Sequence, residues 1–131
     1  MKRPTFGKPP KKARNPFAVA PAPKPPAPRR VDFERVIGDA IDARRLLSLR
    51  YDDDVLARTF QPAALYYSSG DKVCVTGIQI SNPADSRSNG EPRVFEVGRM
   101  RGVEITDQPF SQPATIDRSD SRYSGGIIRS V

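Results

Sequence analysis

Lys72-Val73-Cys74-Val75-Thr76-Gly77-Ile78-Gln79-Ile80 is the longest apolar run in the chain. Its β-branched Val73, Val75, Thr76, Ile78 and Ile80 mark it as a central strand. Gly77 within it predicts a sharp bend, the device by which a small barrel carries one strand between two sheets. Toward the N-terminus, Ser68-Ser69-Gly70-Asp71 reads as a tight turn back to a strand at Ala64–Tyr67. Pro62 interrupts that strand, which resumes from about Leu56 to Gln61; the proline predicts a bulge, an edge or a bend. Before it, Leu47, Leu49 and Tyr51 alternate with Ser48 and Arg50 as another strand, closed by the turn Asp52-Asp53-Asp54.

This first strand runs straight out of a helix. Phe33, Val36, Ile37, Ala40 and Ile41 recur at helical spacing, with Asp32 as the expected N-cap and Glu34 in the first turn. Toward the C-terminus, residues 81–92 read as a polar loop, long enough to be functional or mobile. Strands follow at Arg93–Val97 and Met100–Thr106, and the chain turns polar from Gln108. The expected fold is mainly β in the α+β class. An N-terminal amphipathic helix packs on a small bent SH3/Sm-like barrel of about five strands. The domain is placed at residues 31–112, with a loosely structured tail at 113–131. A core this small buries only ~60–65% of its unfolded surface, so modest stability is expected.

Composition separates an arm from this domain. Residues 1–30 hold nine of the fourteen prolines and nine basic residues: Lys2, Arg3, Lys8, Lys11, Lys12, Arg14, Lys24, Arg29 and Arg30. They hold no acid. The rest has 13 basic residues against all 15 acidic ones, so the overall +7 belongs to the arm. Its sparse apolar residues cannot offset chain entropy, and a disordered, partly polyproline-II arm is expected. It would serve as a non-specific anion-binding clamp or as a solubilising leader. Pro-x-x-Pro spacings around Pro23 and Pro26 are a weaker signal for docking into an aromatic groove.

The chain of 131 residues has no histidine, which excludes Ser-His-Asp and Cys-His catalysis and histidine-based zinc sites. No Gly-x-x-x-x-Gly-Lys loop occurs. A non-enzymatic protein without cofactor or metal is expected, and Asp52–Asp54 reads as a solvated turn rather than a cation site. No segment approaches ~20 apolar residues, so neither export nor membrane spanning is expected. The single Cys74, inert on a buried strand, fits a reducing cytoplasm.

The ordered set of Ala40-Ile41, Tyr51, Arg58, Pro62, Leu65, Gly70, Gly77, Arg93-x-Phe95-x-Val97-x-Arg99-Met100 and Phe110 resembles the WYL domain family, over about residues 33–110. The resemblance implies an Sm-type barrel that senses a ligand, with nucleic acid or nucleotides favoured, in a transcription-regulatory setting. Carried across, the family's polar pocket falls on Tyr51, Arg58, Arg93 and Arg99. The Trp-Tyr-Leu tripeptide that names the family is replaced by Val73-Cys74-Val75. No helix-turn-helix precedes the barrel.

The residues themselves allow two outcomes. Arginine forks suit phosphate or carboxylate, and alternation places Phe95 beside Arg93, where it would stack a base. Alternatively the arginines pair with Asp39, Asp52, Asp54 or Glu96. The expected function is an anionic-ligand module that binds single-stranded nucleic acid or nucleotide through Tyr51, Arg58, Arg93, Phe95 and Arg99. The other reading is an adaptor whose barrel binds itself or a protein partner, with the arm as tether.

Overall fold

The computed structural model describes residues 27–68 and 72–131. Residues 1–26, and residues 69–71 of the expected tight turn, lie outside that range; Ser68 N–H donates to Lys72 O at 2.8 Å across the turn. One helix, α1 (Val31–Ala43), packs on six strands: β1 (Arg45–Tyr51), β2 (Arg58–Tyr67), β3 (Val73–Ser81), β4 (Pro92–Glu96), β5 (Met100–Pro109) and β6 (Ile127–Ser130). The strands pair antiparallel in the order β4-β3-β2-β1-β5, and β6 joins β2. A 3₁₀ turn at Val97–Arg99 carries the chain from β4 to β5. The fold is mainly β in the α+β class, with one strand more than the sequence suggested.

The helix starts without Asp32 as its cap. Arg30 holds the cap position, and Glu34 N–H already donates to Arg30 O at 3.0 Å, so Asp32 is the second helical residue and instead takes the Arg30 guanidinium at 2.9 Å. At the other end Arg44 adopts a left-handed conformation (φ 57°), and its N–H closes on Ala40 and Ile41 carbonyls. That single reversal lets helix run directly into β1.

The main core joins Ile37 and Ile41 of the helix to Leu47, Leu49, Phe60, Leu65, Val75, Phe95, Val97 and Met100. Pro62 marks a register shift on β2, opposite Gly77. Its effect is larger than a local kink. Before it β2 pairs with β1 through Arg58–Phe60; after it the same side pairs with β6 through Ala64–Tyr66. The bulge is where β2 exchanges one neighbour for another.

The segment from residue 113 onward is therefore not a loose end. Tyr123 is buried edge-on against Tyr66 (ring centroids 5.0 Å, 88°), and with Ala64 and Cys74 they form a second small core. Gln61, also buried, accepts N–H bonds from Ser111 and Gln112 at 2.9 and 3.1 Å and donates to Gln112 O at 2.9 Å. A cleft of about 250 Å³ remains between this segment and β2–β3, bordered by Gln61, Thr76, Pro113, Ile116 and Arg122. Tyr66 and Tyr67 thus serve opposite faces, as strand alternation requires. Burial pushes the Cys74 thiol up, which opposes thiolate formation. No helix among the described residues is long and apolar enough to cross a membrane.

Candidate anion-binding face

The loop between β1 and β2 builds the centre of the candidate site. Tyr51 N–H donates to Asp54 Oδ2 at 2.9 Å, while Asp54 N–H donates to Tyr51 O at 3.0 Å, so the aspartate closes its own turn. The same carboxylate takes Arg58 in a two-pronged pair, Nε at 2.6 Å and Nη2 at 2.9 Å. Both side chains are mostly buried. The remaining prong of Arg58, Nη1, donates to Gln79 Oε1 at 3.1 Å. The guanidinium lies 5.3 Å from the Phe95 ring centroid, and the Phe95 ring is 4.7 Å from that of Tyr51.

Arg99 enters from the 3₁₀ turn and reaches Asp52 at 3.0 Å and Glu96 at 3.4 Å. Glu96 N–H in turn donates to the Tyr51 hydroxyl oxygen at 3.2 Å. Tyr51, Arg58, Phe95 and Arg99 therefore share one neighbourhood. Arg93 is at the far end of β4, opposite Gly77, where it pairs with Glu91 at 2.9 Å. Phe95, only 3% exposed, packs against Tyr51 and Phe60 and supports Arg58; it offers no open face for stacking a base.

Every arginine assigned to the pocket has a carboxylate partner. Among the expected partners, Asp52, Asp54 and Glu96 fill that role; Asp39 does not, and Glu91 was not foreseen. Two further residues escaped the sequence reading. Gln79 is fully buried, and its Nε2 donates to Ser88 O at 3.3 Å and to Ser88 Oγ, so it ties the 82–91 loop to Arg58. The available signal was a lone amide inside the apolar run Ile78-Gln79-Ile80. Arg101 donates from Nε and Nη2 to the Asp52 and Asp54 carbonyls.

The base of the arm belongs to the folded unit. Arg29 pairs with the buried Glu34 at 2.9 Å and donates to the Tyr67 hydroxyl at 3.2 Å, while Ala27 and Pro28 lie against Gly98. Arg29 and Arg30 are thus engaged within the domain; the other seven basic residues assigned to the arm lie outside the described residues.

The Arg58 guanidinium holds the Asp54 carboxyl below its usual value of 3.8. Such a group stabilises the fold above its unfolded pKa and loses that contribution as pH falls through its depressed folded value. Acid should therefore weaken the loop below about pH 4. Asp54→Asn is expected to cost about 1–2 kcal/mol at neutral pH and to flatten the acid limb of a stability-against-pH curve. Urea titrations of both proteins between neutral and acid pH check this; parallel acid limbs would show that Asp54 is not the titrating group.

No protein-family model matches the chain, and no curated protein does. Among solved structures it is similar to proteasome accessory factor B/C (PafBC) of Arthrobacter aurescens, at 23% identity and a TM-score of 0.53. The chain shares its fold with a part of that protein. The likeness covers 73% of this chain but 14% of that protein, so the chain spans a small part of its length. At such identity the likeness extends to the fold alone.

Proposed function

We propose that this chain is a non-enzymatic regulatory module of the WYL type that binds an anionic ligand, a single-stranded nucleic acid or a nucleotide. The observation that carries this reading is the setting of Arg58. Its guanidinium is oriented by Gln79 and the Phe95 ring, and two of its donors face a carboxylate on a loop. A phosphate group presents the same pair of acceptor oxygens as that carboxylate. Arg99 stands beside it with its own carboxylates, and the half-buried Tyr51 contributes its ring. Ligand oxygens would take the places of the Asp52 and Asp54 oxygens, so binding is an exchange of ion pairs. Modest affinity and strong salt dependence follow from that.

One observation favours the adaptor reading. The same loop carries Val55 and Leu56, 83% and 56% exposed, as an apolar tip suited to a protein partner.

Titration of labelled single-stranded DNA and RNA at two salt concentrations tests the proposal, with the full chain and its Arg93→Ala/Arg99→Ala variant. Both side chains are partly exposed, so the variant should fold. The double substitution is expected to weaken binding about tenfold or more and to reduce the salt slope by about 0.7 for each phosphate no longer neutralised. Unchanged affinity and slope would remove the pocket from the reading. Dissociation of a self-associated form by Leu56→Asp would move the adaptor ahead.

A further inference from the structure

The outward face of β1 and β5 carries two arginines that form no ion pair among the described residues. Leu47 and Leu49 enter the core, so Ser48 and Arg50 point outward from β1. Across the strand pair Arg50 stands directly opposite Arg101. The pairing is made by a bulge on β5: Ser48 faces Glu104 and Arg50 faces Arg101, with Gly102 (φ 64°) between them. Without the extra residue, Arg50 would face the glycine.

Like charges set directly opposite on one sheet face repel, and sequences ordinarily avoid them. Here both are retained and exposed. Arg101 is anchored on the Asp52 and Asp54 carbonyl oxygens, which orient it; its charge is felt by the Asp54 carboxylate, but no ion pair forms and its Nη1 is unused among the described residues. Arg50 makes no hydrogen bond or ion pair among the described residues. One row further along, Ser48 faces Thr59 and Thr59 faces Ser81, three half-buried residues across β1, β2 and β3. Their hydroxyls make no hydrogen bond among the described residues. Adjacent strands are ~4.8 Å apart, so the row extends about 10 Å from the arginine pair.

We propose that this outward face, Arg50 and Arg101 beside the hydroxyls of Ser48, Thr59 and Ser81, is a seat for the phosphodiester backbone of a single-stranded nucleic acid. The ligand class rests on the function proposed above; the place is new. Charge complementarity selects this occupant. Two adjacent guanidiniums without ion-pair partners, beside a line of hydroxyl donors, match successive phosphate oxygens. Glu104, opposite Ser48 and forming no ion pair among the described residues, opposes binding at the edge of the seat.

The full chain is titrated with labelled oligothymidine at about 50 and about 200 mM salt. Three variants accompany it: Arg50→Glu, Glu104→Gln and Arg93→Ala/Arg99→Ala. Arg50→Glu is expected to weaken binding about tenfold and Glu104→Gln to strengthen it about twofold, both effects shrinking at the higher salt. Arg50→Gln replaces the reversed charge if thermal unfolding shows that Arg50→Glu perturbs the fold, with about a threefold loss expected. Arg50 variants that bind as the parent does overturn the proposal. If the Arg93→Ala/Arg99→Ala variant alone weakens binding, the outward face falls and the Arg58 pocket stands. If only the Arg50 and Glu104 variants respond, the outward face stands and the pocket falls. If no variant responds, both fall and the arm alone carries the attraction.

Discussion

Gly77→Ala is expected to abolish cooperative folding. A Cβ placed at Gly77 would be 2.0 Å from the Gln61 carbonyl oxygen, 2.8 Å from the Phe60 ring and 3.0 Å from the Gln61 carbonyl carbon. Two of those three atoms are backbone, so no side-chain rotation relieves the clash. Phe60 is fully buried and packed on Phe95, and Gln61 is fastened through its side chain to Ser111 and Gln112. The remaining relief is to part β2 from β3 at the bulge, which breaks the pairing at the centre of the sheet. A substitution of that kind costs more than about 4 kcal/mol, against a total stability of about 5 kcal/mol for a core this small. Circular dichroism against temperature checks it: the variant should show no sigmoidal transition where the parent does. Gly102→Ala is the contrast. Its φ of 64° costs about 1 kcal/mol in strain, but nothing lies within 4 Å of the added carbon. A cooperative transition within a few degrees of the parent for Gly77→Ala would mean that the two strands separate at little cost.

That close approach explains how much of the fold was legible. Special positions at Gly77 and Pro62 are readable because each residue type has few uses inside a strand; the structure gives a register shift past Pro62 and, at Gly77, a close approach of β2 rather than the expected crossing between sheets. The helix was readable from its period, although its cap was not. Arg29 anchors the preceding segment through Glu34, and the backbone ladder therefore opens at Arg30. The sixth strand was not readable. Ile127-Ile128-Arg129-Ser130 is four residues long and has meaning only against the stretch of β2 that the Pro62 bulge leaves without β1.

The site shows the same division. The resemblance groups Arg58, Arg93 and Arg99; the structure brings Arg58 and Arg99 together and leaves Arg93 with Glu91, because partners depend on register and loop closure. Asp54 reaches Arg58 because the turn at Asp52 (φ 52°) folds the loop back on itself. Phe95 was placed beside Arg93 by alternation, correctly as to face, yet that face is the core. In the sequence Arg50 is only a polar position of the alternation within β1. Its pairing with Arg101 depends on one inserted residue at Gly102, which leaves no periodic trace.

A chain ending at Gln112 is expected to lose its native fold, although it keeps every element the sequence suggested. The missing segment supplies four kinds of support. β6 pairs along Ala64–Tyr66, and Val131 N–H donates to Ala63 O at 2.9 Å. Tyr123 covers Tyr66, Ala64 and Cys74, which truncation would expose together as an apolar patch on an open strand. Ile128 and Val131 pack against the main core, and Arg129 pairs with Asp42 across to the helix. Removing Tyr123 alone, from the smaller of the two cores, is expected to cost about 3 kcal/mol, the low end for a buried aromatic. The full deletion adds the absent strand pairing and the Arg129–Asp42 pair to that figure, and a domain of this size has no such reserve. Size-exclusion chromatography with circular dichroism distinguishes the outcomes. The truncated chain should elute aggregated or expanded, and Tyr123→Ala should remain folded with a transition lowered by at least about ten degrees. A compact, cooperatively folding 1–112 chain would show that the helix and β1–β5 hold the sheet together unaided, and that the C-terminal strand is an addition to a domain already complete without it.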